Sequence, residues 1–324
     1  MIITLCALTT MSTGCGNSTG RNAEFTGQNK SRVEETTAAA GTQQTKDIEP
    51  AQIKPDAMVS YLGPAGTYTE EAAKYFFGDE ASLSPQDTVD NAIARLQAGD
   101  ADYAVIPQEN TIGGAVTDYI DALIGQEGIY VVGEVVLPIS QTLMGLPGSK
   151  LEDIKTVCSH AQGIAQSAEW REKNLPAAVP EEKDSTAAAA SFVAESGDKS
   201  IAAIAAPGAA DLYGLTVLAE NVQITMENKT RFYVLSKDRP DEVYTNAVFA
   251  ASCHADLIDD IIVDIHNSGL ELVTIHDRPE GSQLGKYNYI IEVEASGGIT
   301  DDQIKKVSRN DNIRFLGSFT TVSK

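Results

Sequence analysis

Cysteine is scarce in this 324-residue chain: Cys6, Cys15, Cys158 and Cys253 are all it has, with no Cys-x-x-Cys spacing. That excludes a disulfide-stapled scaffold, and because no His stands at zinc-ligand spacing it argues against a structural metal site. Basic residues are also few. Lys plus Arg number 24 against 46 acids, a formal net charge of −22, so the molecular field repels phosphate backbones and anionic head groups, and nucleic acid is excluded as a partner. The same field opposes any anionic substrate, which would need local positive dipoles or an Arg to be held. A long apolar run is lacking too: Ile2 to Met11 is too short to span a bilayer. What is present is globular in composition, 42% hydrophobic and 22% charged, and the length allows roughly two or three folding units.

The amino terminus differs from the rest. Residues 1–15 resemble the tail end of a bacterial lipoprotein signal, with Ser12, Thr13 and Gly14 leading to Cys15. A lipid anchor at Cys15 would turn the protein outward from the membrane; without it the segment is a plain extension and the protein cytoplasmic. Residues 16–57, rich in Thr, Gln, Glu, Asn, Gly and Ala, show no sustained period and read as a disordered tether.

Order is expected from Met58. Short β-branched or aromatic runs alternate with helical patterns, the signature of βαβ units and a mostly parallel sheet. Strands are expected at Val59 to Leu62, Tyr103 to Pro107, Ile129 to Pro138, Ile154 to Cys158, Ile201 to Ala205 and Phe232 to Ser236. Val89, Ala92, Ile93 and Leu96 fall at helical spacing, and Ile164, Ala165 and Ala168 do so less regularly. After a polar break near Arg239 the last eighty or so residues read as βαββαβ, with helices at Leu257 to Asn267 and Asp301 to Val307 and strands at Glu271 to Asp277, Tyr287 to Glu294 and Ile313 to Phe319.

Four polar segments sit where a strand gives way to a helix or loop. Gly63-Pro64-Ala65-Gly66-Thr67-Tyr68 opens a helix, with Thr67 and Glu70 spaced for a capping box. Glu109-Asn110-Thr111 follows the strand ending at Pro107, Ser159-His160-Ala161-Gln162 follows Cys158, and Asp184-Ser185-Thr186 precedes an alanine run. One such segment signifies only a capped helix; four in one domain point to a shared cleft of hydroxyls, amides and helix N-termini suited to a small polyanion. Asn228-Lys229-Thr230-Arg231-Phe232 leads into a further strand, where Arg231 offers a bidentate fork for a carboxylate. His160 reads as a helix-start residue, Cys158 as a buried strand residue, and Glu70, Glu71, Glu181 and Glu182 as solvated surface.

In this order Gly-Pro-x-Gly-Thr-Tyr, Pro-x-Glu-Asn-Thr, Ser-His-x-Gln, Ser-Thr-Ala and Asn-x-Thr-Arg-Phe resemble prephenate dehydratase over Met58 to about Asp238. The closing βαββαβ stretch, 245–322, is similar to the ACT regulatory domain that follows it in that family. The resemblance implies an α/β catalytic domain at 58–238, bilobal like the type II periplasmic binding proteins, with lobes 58–132 plus 217–238 and 133–216 and an α+β ferredoxin-like ACT domain behind it. It implies a lyase that takes prephenate, expels CO2 and the C4 hydroxyl as water, and releases phenylpyruvate for phenylalanine biosynthesis. No electron sink is needed, so neither metal nor cofactor is expected.

Carried onto this chain, the resemblance makes Thr230 the proton-donating hydroxyl and Arg231 a carboxylate ligand. Asn110 and Glu109 join them, with Thr67, Ser185, Thr186, Gln162 and Phe232 binding or positioning substrate. Two residues depart from the pattern without removing a reacting group: Gln108, where the family has an aliphatic residue, and Ala161, where it has proline. In the regulatory domain Asp256-Leu257-Ile258 replaces a Gly-Ala-Leu turn, and His276-Asp277-Arg278-Pro279 replaces Glu-Ser-Arg-Pro. Asp256 brings a charge where the family brings bare backbone, so L-phenylalanine inhibition is expected to be weak or absent. A homodimer or homotetramer is the implied assembly. The competing reading, prompted by Cys15, is an extracytoplasmic solute-binding lipoprotein of the same fold without turnover.

Overall fold

The computed structural model describes residues 53–324 except 55, 226 and 240–243. Cys15 and the tether up to residue 52 lie outside the described residues. Packing begins slightly before the expected start: Ala57 is fully buried, and Ile53 rests against the first-lobe core.

The chain first runs through β1 (Met58–Leu62), α1 (Tyr68–Phe77), β2 (Ser82–Gln86), α2 (Val89–Ala98) and β3 (Tyr103–Asn110). A two-residue β4 (Gly114–Ala115), α3 (Thr117–Gly125) and β5 (Tyr130–Pro138) complete this pass. It then crosses into a second lobe of β6 (Thr142–Gly145), β7 (Thr156–Ser159), α4 (Ala161–Gln166), α5 (Ala168–Asn174), β8 (Val179–Glu182), α6 (Thr186–Ser196), β9 (Ile201–Ala205), α7 (Gly208–Tyr213) and β10 (Thr216–Ala219). β11 (Lys229–Ser236) brings it back. The C-terminal unit follows as β12 (Asn246–His254), α8 (Ile258–Asn267), β13 (Glu271–Pro279), β14 (Lys286–Glu294), α9 (Asp301–Val307) and β15 (Ile313–Phe319), and a last strand, β16 (Thr321–Ser323), closes the chain.

The local reasons for these elements are visible in the sequence. Thr67, Thr88, Ser185 and Thr300 cap α1, α2, α6 and α9, each hydroxyl accepting a backbone N–H three residues on. On α2, Val89, Ala92, Ile93 and Leu96 are all buried, as their spacing predicts. The weaker 164–168 pattern breaks at the buried Ser167, which separates α4 from α5 and whose hydroxyl donates to the Gly163 carbonyl at 2.7 Å.

The sheets are mixed, where a mostly parallel arrangement was expected. The first has the order β16-β5-β11-β3-β1-β2, with β4 beside β3; β11 runs antiparallel to both neighbours. Leaving at the end of β5 and returning beside it forces that reversal, since Lys229 pairs with Pro138 and the Ile139 N–H donates to the Asn228 carbonyl at 2.8 Å. The second sheet has the order β10-β6-β9-β7-β8. The expected lobe boundaries shift accordingly: the chain leaves the first sheet after Pro138 rather than at 132, and the strand Thr216–Ala219 pairs with β6 in the second lobe rather than belonging to the first.

The C-terminal unit has the expected βαββαβ order, its sheet reading β13-β14-β12-β15. It shares a core with the first lobe: Val248, Ala250, Ile290, Leu316 and Phe319 pack among Ile93, Leu96, Tyr119, Ile120 and Tyr233. β16 leaves the unit and pairs parallel with β5. Where β15 crosses β5, Gly317 has a φ of 145°, and a Cβ there would lie 2.1 Å from the Val131 carbonyl oxygen. Neither backbone can yield without breaking its ladder. Gly317→Ala is therefore expected to destabilise the fold by at least about 2 kcal/mol, read as a lowered Tm in thermal melts; an unchanged Tm would show that the two sheets are not held at this crossing.

Candidate active site

A cleft of about 240 Å³ lies between the two lobes. It is small but within reach of ligand-binding size. From the first sheet it takes Pro107 and Asn110 of β3 and Thr230 and Phe232 of β11; from the second lobe it takes His160, Gln162 and Gly163. Thr67 and Tyr68 at the start of α1, and Thr186 at the start of α6, complete opposite walls. Among the described residues no Lys, Arg, Asp or Glu lines it, so an anion held here would be gripped by amides, hydroxyls and the backbone N–H groups that open these helices.

Asn110 is the hub. Its Nδ2 donates to Thr230 Oγ1 at 2.9 Å and to Asn228 Oδ1 at 2.7 Å, while its Oδ1 accepts the N–H groups of Ile112 and Gly113 at 3.0 and 2.9 Å. An amide whose oxygen is tied to backbone presents its nitrogen in one orientation, so the Thr230 oxygen is an acceptor on that side and its own proton is free to point outward. Gln162 Nε2 reaches Asn110 Oδ1 across the lobes at 3.4 Å. A second layer of amides continues the hinge: Asn228 Nδ2 and Gln141 Nε2 both donate to Gln166 Oε1, at 3.2 and 2.7 Å. Tyr68 also spans the hinge, its hydroxyl donating to the Ser140 carbonyl at 2.6 Å.

Of the residues expected to form the site, Thr67, Asn110, Gln162, Thr186, Thr230 and Phe232 meet in this cleft. Three do not. Ser185 is absent from the lining; its hydroxyl caps α6, accepting from the Ala188 N–H at 2.9 Å. Arg231 and Glu109 face the other side of the sheet. Neighbours along a strand point to opposite faces, so Arg231 cannot share the cleft with Thr230. Its guanidinium binds Glu134 Oε1 at 2.6 Å through Nε, Glu292 Oε1 at 2.5 Å through Nη2, and Glu109 Oε2 at 3.4 Å through Nη1. A carboxylate ligand for substrate is thus replaced by a cation already surrounded by carboxylates.

Residues missed from sequence are Gln141, Gln166 and Asn228. Gln166 stands four after Gln162 on one helix and so shares its face, a signal that could have found it. Asn228 belongs to the same short motif as Thr230. His160, read as a helix-start residue, does cap α4, accepting from the Gln162 N–H at 3.4 Å, and it lines the cleft as well.

The residues expected to regulate lie apart from this cleft. Asp256 and Leu257 sit in a short exposed 3-10 turn, Ala255–Leu257. The 276–279 segment ends β13 against the first lobe: His276 Nδ1 meets the Tyr119 hydroxyl, its Nε2 lies 3.5 Å from Glu109, and Arg278 pairs with Asp121 at 2.9 Å.

The fold and cleft define a two-lobed α/β protein with an amide- and hydroxyl-lined cleft between its two sheets. Residues 59–240 match the family described as Prephenate dehydratase. The prephenate dehydratase of Amycolatopsis methanolica is 34% identical over 272 residues, covering 81% of this chain and 88% of that one. The bifunctional chorismate mutase/prephenate dehydratase of Neisseria gonorrhoeae is 33% identical over 271 residues, 81% of this chain and 74% of its own. The crystal structure of the Arthrobacter aurescens prephenate dehydratase, solved with L-Phe, superposes with a TM-score of 0.72 at 32% identity, covering 80% of this chain and 89% of that chain. The chain belongs to the prephenate dehydratase family, whose members are decarboxylating hydro-lyases. A solute receptor without turnover is not favoured by these relatives.

Behind the cleft, Glu134 is buried to 2% exposure. Burial first, and the charge of Glu292 second, push its carboxyl up to about 7 from an ordinary 4.5, against the pull of Arg231. Burial opposes the Arg231 charge, yet Glu134 and Glu292 more than offset it and hold the guanidinium above its usual range. Because the folded chain keeps the Glu134 proton where the unfolded chain has released it, the stability this residue contributes is lost as pH rises from about 5 through about 7. Glu134→Gln cannot ionise, so its Tm should vary less than that of the parent over this window; parallel Tm-against-pH curves would refute the assignment.

Proposed function

We propose that the cleft carries out decarboxylative dehydration of prephenate with Thr230 as the reacting hydroxyl. The observation that carries this reading is the hydrogen bond from Asn110 to Thr230 inside the cleft. In the reaction the electron pair of the bond to the ring carboxylate moves into the ring as CO2 departs, the C4–O bond breaks, and the leaving hydroxide takes a proton to become water. Aromatisation drives both cleavages, and the protein's task is to hold a dianion and ease the departure of hydroxide. An alcohol is a weak acid by itself. Thr230 Oγ1, already accepting from Asn110, directs its O–H toward the leaving oxygen, Asn110 stabilises the charge that grows on Oγ1 as the proton shifts, and a proton from solvent restores the hydroxyl, so each turnover takes up one H+. Gln162, Thr67 and Thr186 orient the substrate's polar groups, and Phe232 and Pro107 supply apolar wall for the ring.

The bilobal part follows the type II periplasmic-binding-protein plan, and we read the C-terminal unit as an ACT-like regulatory domain on its βαββαβ order and sheet order. In this chain the effector response is weak or absent. Asp256 puts a charge on the exposed turn before α8, and His276 and Arg278 are engaged by α3 and Glu109. Addition of L-phenylalanine up to millimolar concentration should leave prephenate turnover nearly unchanged, and a steep inhibitory dose-response would reject this part.

Thr230→Val, similar in shape but without the hydroxyl, should lower kcat about 10²-fold or more with a far smaller change in KM, followed as phenylpyruvate formation. Turnover that survives the substitution would remove Thr230 from the chemistry.

A further inference from the structure

The face of the first sheet opposite the cleft carries a second polar cluster, and it is assembled from both the dehydratase part and the C-terminal unit. Its centre is Glu292 on β14, fully buried. One carboxylate oxygen lies 2.5 Å from Arg231 Nη2. The other accepts the Tyr233 hydroxyl at 2.8 Å and faces Gln108 Nε2 at 3.4 Å; Gln108 also donates to the Tyr233 oxygen at 2.9 Å. All three partners belong to β3 and β11, the strands that carry Asn110 and Thr230.

These partners surround an irregularity in the ladder. Thr230 pairs with Asn110 and Arg231 with Glu109, but Phe232 pairs with Pro107, so β3 carries one extra residue, Gln108. In a regular strand residues 107 and 110 would face opposite sides. The bulge restores them to one side: Pro107 and Asn110 both line the cleft, while Gln108 and Glu109, adjacent in sequence, both point away from it. Asn110 reaches Thr230 only because the bulge stands where it does. Both bulge side chains are held from the far face, Gln108 by Tyr233 and Glu292, Glu109 by Arg231 and His276.

We propose that Glu292 is a positioning residue for the dehydration, supplied by the C-terminal unit, which acts through Arg231 and the Gln108–Glu109 bulge to keep Asn110 against Thr230. It touches neither substrate nor reacting atoms. Its loss loosens the geometry of the step rather than the capture of prephenate, so it lowers kcat and leaves KM near its starting value. The inference rests on Thr230 being the reacting hydroxyl, and Thr230→Val is measured alongside to keep the two separable.

The test is steady-state turnover of prephenate by the full chain and its Glu292→Gln and Glu292→Asp variants, with thermal melts to establish folding. Glu292→Gln keeps the shape and loses the charge on Arg231; kcat should fall at least about tenfold with KM within about threefold. Glu292→Asp keeps the charge and should recover kcat to within about threefold of the parent. A folded Glu292→Gln variant with parental kcat, one altered only in KM, or an Asp variant as slow as the Gln variant would each overturn the proposal. If Glu292→Gln does not fold, Gln108→Leu takes its place: a kcat lowered at least about fivefold at similar KM supports the positioning role, and parental turnover refutes it. Loss of activity in Thr230→Val together with an unaffected Glu292→Gln would sink this inference alone, whereas an active Thr230→Val would sink the reading beneath it.

Discussion

One extra residue in β3 is the constraint on which the site depends. Side chains alternate along a strand, and a single inserted residue reverses that alternation for everything beyond it. Because Gln108 is the residue added, Asn110 turns toward the cleft beside Pro107, meets Thr230 at 2.9 Å, and takes Asn228 and Gln162 into the same network. The reverse face gains two consecutive polar side chains, Gln108 and Glu109, which would be costly to bury without partners. Arg231, Tyr233 and Glu292 are those partners.

The same arrangement divides the charges. A chain with a formal charge of −22 that binds a dianion would be expected to place its Arg in the cleft. It does the opposite: Arg231 is committed to Glu134, Glu292 and Glu109, and the described lining of the cleft holds neither Lys nor Arg. Backbone N–H groups at helix starts and side-chain amides are dipoles fixed in place by the fold, and they favour an anion without adding a mobile cation that nearby acids could capture. The guanidinium serves instead to make a cluster of buried carboxylates tolerable, and that cluster ties the C-terminal unit to the first sheet.

Much of the architecture was legible in the chain. Periodicity placed α2 and its buried face, and the C-terminal elements were read to within a few residues, with Asp301–Val307 and Ile313–Phe319 matching at both ends. Two strands that the sequence pattern does not show have a physical reason for it. β2, Ser-Leu-Ser-Pro-Gln, is an edge strand that tolerates proline because its outer side needs no partner. β16 has three residues and takes its identity from β5 alone. The expected strand stops at Pro107, and Glu109 and Asn110 become strand only through their ladders with β11 and β4.

The amino-acid order by itself determined which groups would be available: the helix-capping hydroxyls, the amides at strand ends, the Thr-Arg-Phe strand, and the family they jointly identify. Tertiary structure alone decided which of them face one another. Helix caps and periodicity are local, written within a few residues, whereas the face a strand residue presents depends on register with a partner more than a hundred positions away, as Asn110 and Thr230 are. That is why motifs can bring Thr230 and Asn110 forward together while Arg231 and Glu109, each adjacent to one of them, face the other side of the sheet.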